Sequence, residues 1–207
     1  MTALAKKKKS MRLQAISYIG VVIAVLIDQF TKYLANAYLN GRQARVLIPG
    51  VFEFRYLENE SAAFGVDFIS LLDKIFHFAY FEENPDAFLR TKMLFFVVVT
   101  LIVVAVLLLL YRRLPWERHW LAMNLIILAF TAGAIGNLID RIVHNYVIDF
   151  LYFSLIDFPI FNVADIYVTV ASFALIFSVF FVYTEEDFEA VFPKKKRESQ
   201  KEEGNGE

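Results

Sequence analysis

Residues 133–165 read GAIGNLIDRIVHNYVIDFLYFSLIDFPIFNVAD, and this stretch decides how the rest of the chain is read. It sets aspartates, asparagines and an arginine among residues otherwise suited to hydrocarbon. On a helix, Gly133, Gly136, Asn137, Asp140, Arg141 and His144 fall on one small-and-polar face. Asn162, Asp165 and Thr169 repeat that spacing after a turn at Pro159. Asp149 lies between the two faces. Polar groups in such surroundings are costly to desolvate unless a partner or a wet cavity offsets the cost, so they mark a functional site.

The surrounding composition sets the class. The chain has 207 residues, of which 58% are apolar, and its mean hydropathy of +0.50 is too high for an ordinary soluble domain. A formal net charge of -1 offers no concentrated basic surface, so no nucleic-acid partner is expected. Cysteine is absent, which excludes disulfides, thiolate nucleophiles and cysteine-ligated zinc. The histidines, His77, His119 and His144, are far apart and form no HExxH spacing. Neither a metal site nor a cofactor is expected.

Runs long enough to cross about 30 Å of hydrocarbon lie near Ser17 to Leu39, Met93 to Tyr111, His119 to Ile142 and Pro159 to Tyr183. The expected fold is an all-α membrane protein with four transmembrane helices, a small extracytoplasmic β-sheet and an amphipathic interfacial helix. Residues 1–183 form a single membrane domain, and 184–207 a charged, disordered cytoplasmic tail. Lys and Arg gather at Lys6 to Lys9, Arg12, Arg112, Arg113, Arg118 and Lys194 to Arg197, which places both termini in the cytoplasm. The polar ends of the third and fourth spans then lie toward the outer leaflet. Lys6 to Lys9 before an apolar run imitate a signal peptide, but Asp28 and Lys32 interrupt it.

Within the first span, Asp28, Thr31 and Lys32 share a face, and a spacing of four permits an Asp28–Lys32 pair. That pair is either a self-neutralising structural feature or part of a face turned toward the other polar helices. Outside the membrane, Val51 to Glu58 alternate as a half-buried strand does. Between Val66 and Arg90, Leu72, Ile75, Phe76 and Ala79 recur at helical spacing among charges, as in a helix lying on a membrane surface. The second span carries only Thr100 as a polar group and reads as lipid-facing scaffold. Asp157 reads as a turn or helix-start residue, and Asp140 beside Arg141 as a local ion pair.

Five motifs in order, Asp28-Gln29-Phe30-Thr31-Lys32, Asn59 to Gly65, Gly136 to Arg141, Val147 to Phe150 and Phe161 to Asp165, closely resemble those of the bacterial lipoprotein signal peptidases. That family consists of four-helix inner-membrane aspartyl proteases that cut prolipoproteins before a diacylglyceryl-modified cysteine. The resemblance implies that Asp149 and Asp165 are the catalytic pair. It assigns Asn59, Asn137, Asp140, Arg141 and Asn162 to shaping the site and holding substrate, and gives Asp28 and Lys32 a supporting role. It also implies a diacylglyceryl-modified prolipoprotein and membrane lipid as partners, with no oligomer required. Ser61 stands where the family usually has glycine, and the stretch from Val66 to Arg90 is longer than the family norm.

The chemistry is coherent without the family. Two neighbouring carboxyl groups that share one proton can activate water and protonate a leaving amine. Two other classes remain open to the residues alone. One is an ion pathway using Asp28, Lys32, Asp140 and Asp165; the other is a scaffold whose polar faces are helix contacts.

Overall fold

The structure, a computed structural model, describes residues 11–61 and 84–192. In chain order these form α1 (Met11–Leu39), β1 (Arg45–Ile48), β2 (Phe52–Asn59), α2 (Pro85–Arg113), α3 (Leu121–His144) and β3 (Val147–Tyr152). A 3-10 turn (Ser154–Ile156), α4 (Val163–Phe181) and α5 (Glu185–Val191) complete them. The helices α1 to α4 are long and apolar enough to cross a membrane. Their outward faces carry bare hydrocarbon, such as Phe173, Phe180 and Phe181, each more than 70% exposed. Such surfaces are stable in lipid and not in water.

Helix α3 is the most buried of the four and the element the others pack on. Its small residues are the reason. A Cβ built on Gly133 would lie 2.6 Å from the Ala164 carbonyl oxygen and 2.6 Å from Val168 Cγ2, both on α4. One on Gly136 would lie 2.6 Å from Asp28 Oδ2 on α1. Only glycine admits both neighbours at this range.

Two apolar clusters mark the ends of the bundle. At one end, Tyr111, Leu114, Trp120, Met123, Tyr183 and Val191 pack together with Tyr18 of α1. At the other, Ala35 and Leu39 of α1 pack on Ile148 and Phe150 of β3. The start of α1 and the whole of α5 therefore lie at the end away from the sheet. The sheet has the order β1-β2-β3, with antiparallel pairing that sets Leu57 opposite Asp149 and Asn59 opposite Val147. A register shift between Phe54 and Leu57 bends β2 as a bulge does.

Several expectations change. Residues 85–90 belong to α2, which begins at Pro85, rather than to a separate surface helix; residues 66–83 of that expected helix lie outside the described residues. The fourth span starts at Val163, not at Pro159, because Asn162 caps it while Phe161 bridges to Leu151 at the sheet edge. Residues 184–192 are folded, contrary to the expected disordered tail 184–207. Thr184 and Asp187 form a capping box, and the Trp120 ring stacks on Tyr183 at 4.8 Å beneath Phe188. The charges of Glu185 to Asp187 are those of a helix first turn, where they favour folding. Residues 193–207 lie outside the described residues.

Candidate active site

The site lies where the sheet meets the ends of α1, α3 and α4. Strand β3 is buried on both faces: Ile148 and Phe150 join the apolar cluster against α1, and Asp149, pointing the other way, is 1% exposed. Its Oδ2 accepts a hydrogen bond from Asn59 Nδ2 at 2.8 Å, and its Oδ1 accepts one from Asn162 Nδ2 at 2.7 Å. Asp165 occupies the first turn of α4. There the Asn162 backbone N–H donates to its Oδ2 at 3.1 Å, and Asn137 Nδ2 donates to its Oδ1 at 2.8 Å. Asn162 thus touches both carboxyl groups and seats them side by side.

Each asparagine amide is held so that its NH2 faces a carboxyl group. The Asn59 oxygen accepts from the Ser61 N–H at 2.8 Å. The Asn162 oxygen accepts from the Asp165 N–H at 3.0 Å. The Asn137 oxygen accepts from Lys32 Nζ at 2.9 Å and from Asn162 Nδ2 at 3.1 Å. With every amide oxygen occupied by a donor, the NH2 groups are left for Asp149 and Asp165.

Lys32 anchors this arrangement from below. Its ammonium is 1% exposed and donates to Asp28 Oδ2 at 2.9 Å, Asp140 Oδ2 at 3.0 Å and Asn137 Oδ1. Three N–H groups meet three acceptors, which satisfies a buried ammonium fully. The Asp28–Lys32 pair is neutralised locally, and its face turns toward Asn137 and Asp140 of α3. Asp28 Oδ1 also accepts the Ala164 N–H at 2.8 Å, and Asp140 Oδ2 the Ile148 N–H at 3.0 Å. These bonds tie α1 to α4 and α3 to β3, next to the two carboxyl groups.

The Asp149 carboxyl is pushed up to about 7. Burial is the largest cause and the neighbouring charge of Asp165 the second, outweighing the donors Asn59 and Asn162. Arg141 adds a positive charge within electrostatic reach of Asp165, Asp149 and Asp140. It donates to the Asn137 carbonyl at 3.3 Å and the Ser61 carbonyl at 3.4 Å. Asp140 engages Lys32 instead of forming the expected local pair with Arg141, because its carboxylate points toward α1.

All nine residues singled out in the sequence, Asp28, Lys32, Asn59, Asn137, Asp140, Arg141, Asp149, Asn162 and Asp165, meet in this cluster. Other members of the polar faces do not. His144 is exposed and stacks on Tyr146, Thr169 is exposed, and Thr31 bonds back to the Asp28 carbonyl at 2.7 Å. Asp157 is a turn residue, with φ 48° and a bond from the Tyr152 hydroxyl. Gln29, part of the first motif but without a role assigned from the sequence, also joins the cluster: its Nε2 reaches Asp28 Oδ2, the Gly136 carbonyl and Asp140 Oδ1 within 3.2 Å. Its place between Asp28 and Lys32 was the available signal. Among the described residues, no cluster of His, Asp and Glu is arranged to hold a metal ion.

Comparison with known proteins agrees with this geometry. The family model for signal peptidase (SPase) II matches residues 20–181. The lipoprotein signal peptidase of Microcystis aeruginosa is 32% identical over 174 residues, covering 79% of this chain and 90% of that one. That of Symbiobacterium thermophilum is 36% identical over 160 residues, covering 75% and 88%. A bacterial membrane enzyme structure determined in meso at 1.9 Å resolution superposes with a TM-score of 0.63 at 26% identity, covering 86% of this chain and 99% of that one. A second, at 2.3 Å, has a TM-score of 0.57 and 24% identity and shares the fold. Four helices long and apolar enough to span a membrane, the two carboxyl groups joined through Asn162 and these matches lead to one conclusion: the chain belongs to the signal peptidase II family and is a multi-pass bacterial membrane peptidase.

Proposed function

We propose that this protein is an intramembrane aspartyl endopeptidase that removes signal peptides from diacylglyceryl-modified prolipoproteins by cutting before the lipidated cysteine. The observation that carries the reading is the seating of Asp149 and Asp165 on the two ends of Asn162. A pair so close favours one proton shared between two carboxyl groups. Asp149, pushed up to about 7, is the member that keeps the proton. Asp165, in the first turn of α4 where negative charge is favoured, is the base.

Asp165 takes a proton from water as the water oxygen attacks the scissile carbonyl carbon. Asp149 gives its proton to the carbonyl oxygen, so the intermediate carries no full charge. On collapse the leaving nitrogen takes the proton from Asp165, the C–N bond breaks, and the hydroxyl proton returns to Asp149. Arg141 and the asparagine amides hold substrate carbonyls and the carboxyl pair in register.

The site lies at the sheet end of the bundle, opposite the arginines Arg112, Arg113 and Arg118. With those toward the cytoplasm, the carboxyl pair faces the outer leaflet of the inner membrane and both termini lie inside. A substrate then keeps its acyl chains in lipid while its peptide enters from the side. One chain supplies both aspartates and all their partners, so a single copy suffices. The test is incubation of the purified protein with a lipidated prolipoprotein and with its unlipidated form, followed by mass spectrometry. The expected product begins at the lipidated cysteine and comes from the lipidated form alone. Cutting elsewhere, equal cutting of both forms, or loss of activity with a chelator overturns the reading.

A further inference from the structure

Although the second span is otherwise an apolar scaffold, one of its residues reaches the site. Phe96 of α2 is 9% exposed, whereas its neighbours Leu94 and Val98 are 64% and 46% exposed to lipid. The Arg141 guanidinium carbon sits 5.3 Å from the centre of the Phe96 ring, within the range of cation–π attraction. Arg141 Nε is buried and, among the described residues, has no hydrogen-bond acceptor. The two bonds its other nitrogens make are long, at 3.3 and 3.4 Å.

A guanidinium within electrostatic reach of two carboxyl groups gains by closing onto one of them, because bidentate pairing is strong where water is scarce. Among the described residues, neither Asp149 nor Asp165 forms an ion pair with it. Among the described residues, the ring face of Phe96 competes for the cation, and it does so without supplying a charge.

We infer that Phe96 is a positioning residue: its ring holds the Arg141 guanidinium beside the carboxyl pair and keeps it from quenching the base. This rests on the proposed function, since the guanidinium must stay open to a substrate carbonyl. The ring acts only through Arg141. A bulky aliphatic side chain fills the same space without attracting the cation, and a tryptophan or tyrosine keeps the attraction at altered volume.

The test compares Phe96→Leu, Phe96→Tyr and Phe96→Trp for kcat and KM on lipidated prolipoprotein. Phe96→Leu is expected to lower kcat about tenfold with KM changed less than about twofold, and the aromatic variants to stay within about threefold of the original. A Phe96→Leu enzyme with unchanged kcat, or aromatic variants as poor as leucine, overturns the inference and points to packing alone. A readout independent of cleavage is a double-mutant cycle of Phe96→Leu and Arg141→Met on unfolding in detergent. Coupling of about fivefold in the unfolding constant is expected, and additive effects overturn it. If the original protein cuts nothing while the cycle shows coupling, the fault lies with the proposed function and not with this contact.

Discussion

Replacing Lys32 with methionine removes the ammonium and keeps most of the side-chain volume. Asp28 and Asp140, 0% and 1% exposed, then lose the cation that lies 2.9 and 3.0 Å away. They keep Gln29 and the Ala164 and Ile148 N–H groups, which stabilise charge but do not neutralise it. Breaking a buried ion pair from one side costs about 3–5 kcal/mol, and here two carboxylates lose the same partner, so the upper part of that range applies. For a domain of this size that corresponds to a fall in Tm of roughly 10 °C. Asn137 also loses the donor that fixes its amide, so activity should fall further than stability explains. The assay is thermal and SDS-induced unfolding in mixed micelles for Lys32→Met, Asp140→Asn and the double variant. The double variant should recover part of the loss, because removing one of the orphaned charges relieves the imbalance. A Lys32→Met protein within 1 kcal/mol of the original (a threshold set by the usual ±0.5 scatter of neutral substitutions) would refute the idea that this network holds the site.

Other outcomes follow from the same geometry. Activity should fall as pH rises with an apparent pKa near 7, because Asp149 must be protonated and its carboxyl is pushed up to about 7; a pH–rate profile in detergent flat from pH 6 to 9 contradicts that. Gly136→Ala should destabilise the protein by about 1–3 kcal/mol and impair cleavage, since the added methyl meets Asp28 Oδ2 at 2.6 Å. Gly20→Ala, where the added methyl meets nothing within 4 Å, should leave both unchanged; thermal unfolding of the two variants side by side decides it.

Much of this site was legible in the chain because each polar residue stood out against hydrocarbon. Asp28, Lys32, Asn137, Asp140 and Asp165 each interrupt an apolar run, and helical spacing alone put them on inward faces. Strand β3 escaped notice because Val147 to Phe150 are buried on both faces, so the alternation that revealed β2 is missing. The start of α4 was misplaced because Pro159 is a familiar opener, while the Asn162–Asp165 box is less conspicuous than its Ser/Thr-to-Glu form. Helix α5 was hidden by its charge: the acidic residues that suggested disorder belong to one turn, and Phe188 and Val191 provide the packing. Phe96 had no signal at all, since one phenylalanine in a fully apolar helix looks like any other. Its role depends on where Arg141 comes to lie, and that is a property of the fold.

The measurement that bears most directly on the central claim is single-turnover cleavage of a lipidated prolipoprotein by the original protein, Asp149→Asn and Asp165→Asn, each verified as folded by its unfolding transition. Cleavage by the original and a loss of several orders of magnitude in both variants are expected, because neither half of a shared-proton pair works alone. Cleavage by either variant within about tenfold of the original would mean that the chemistry is carried elsewhere and that the pair seated on Asn162 is structural.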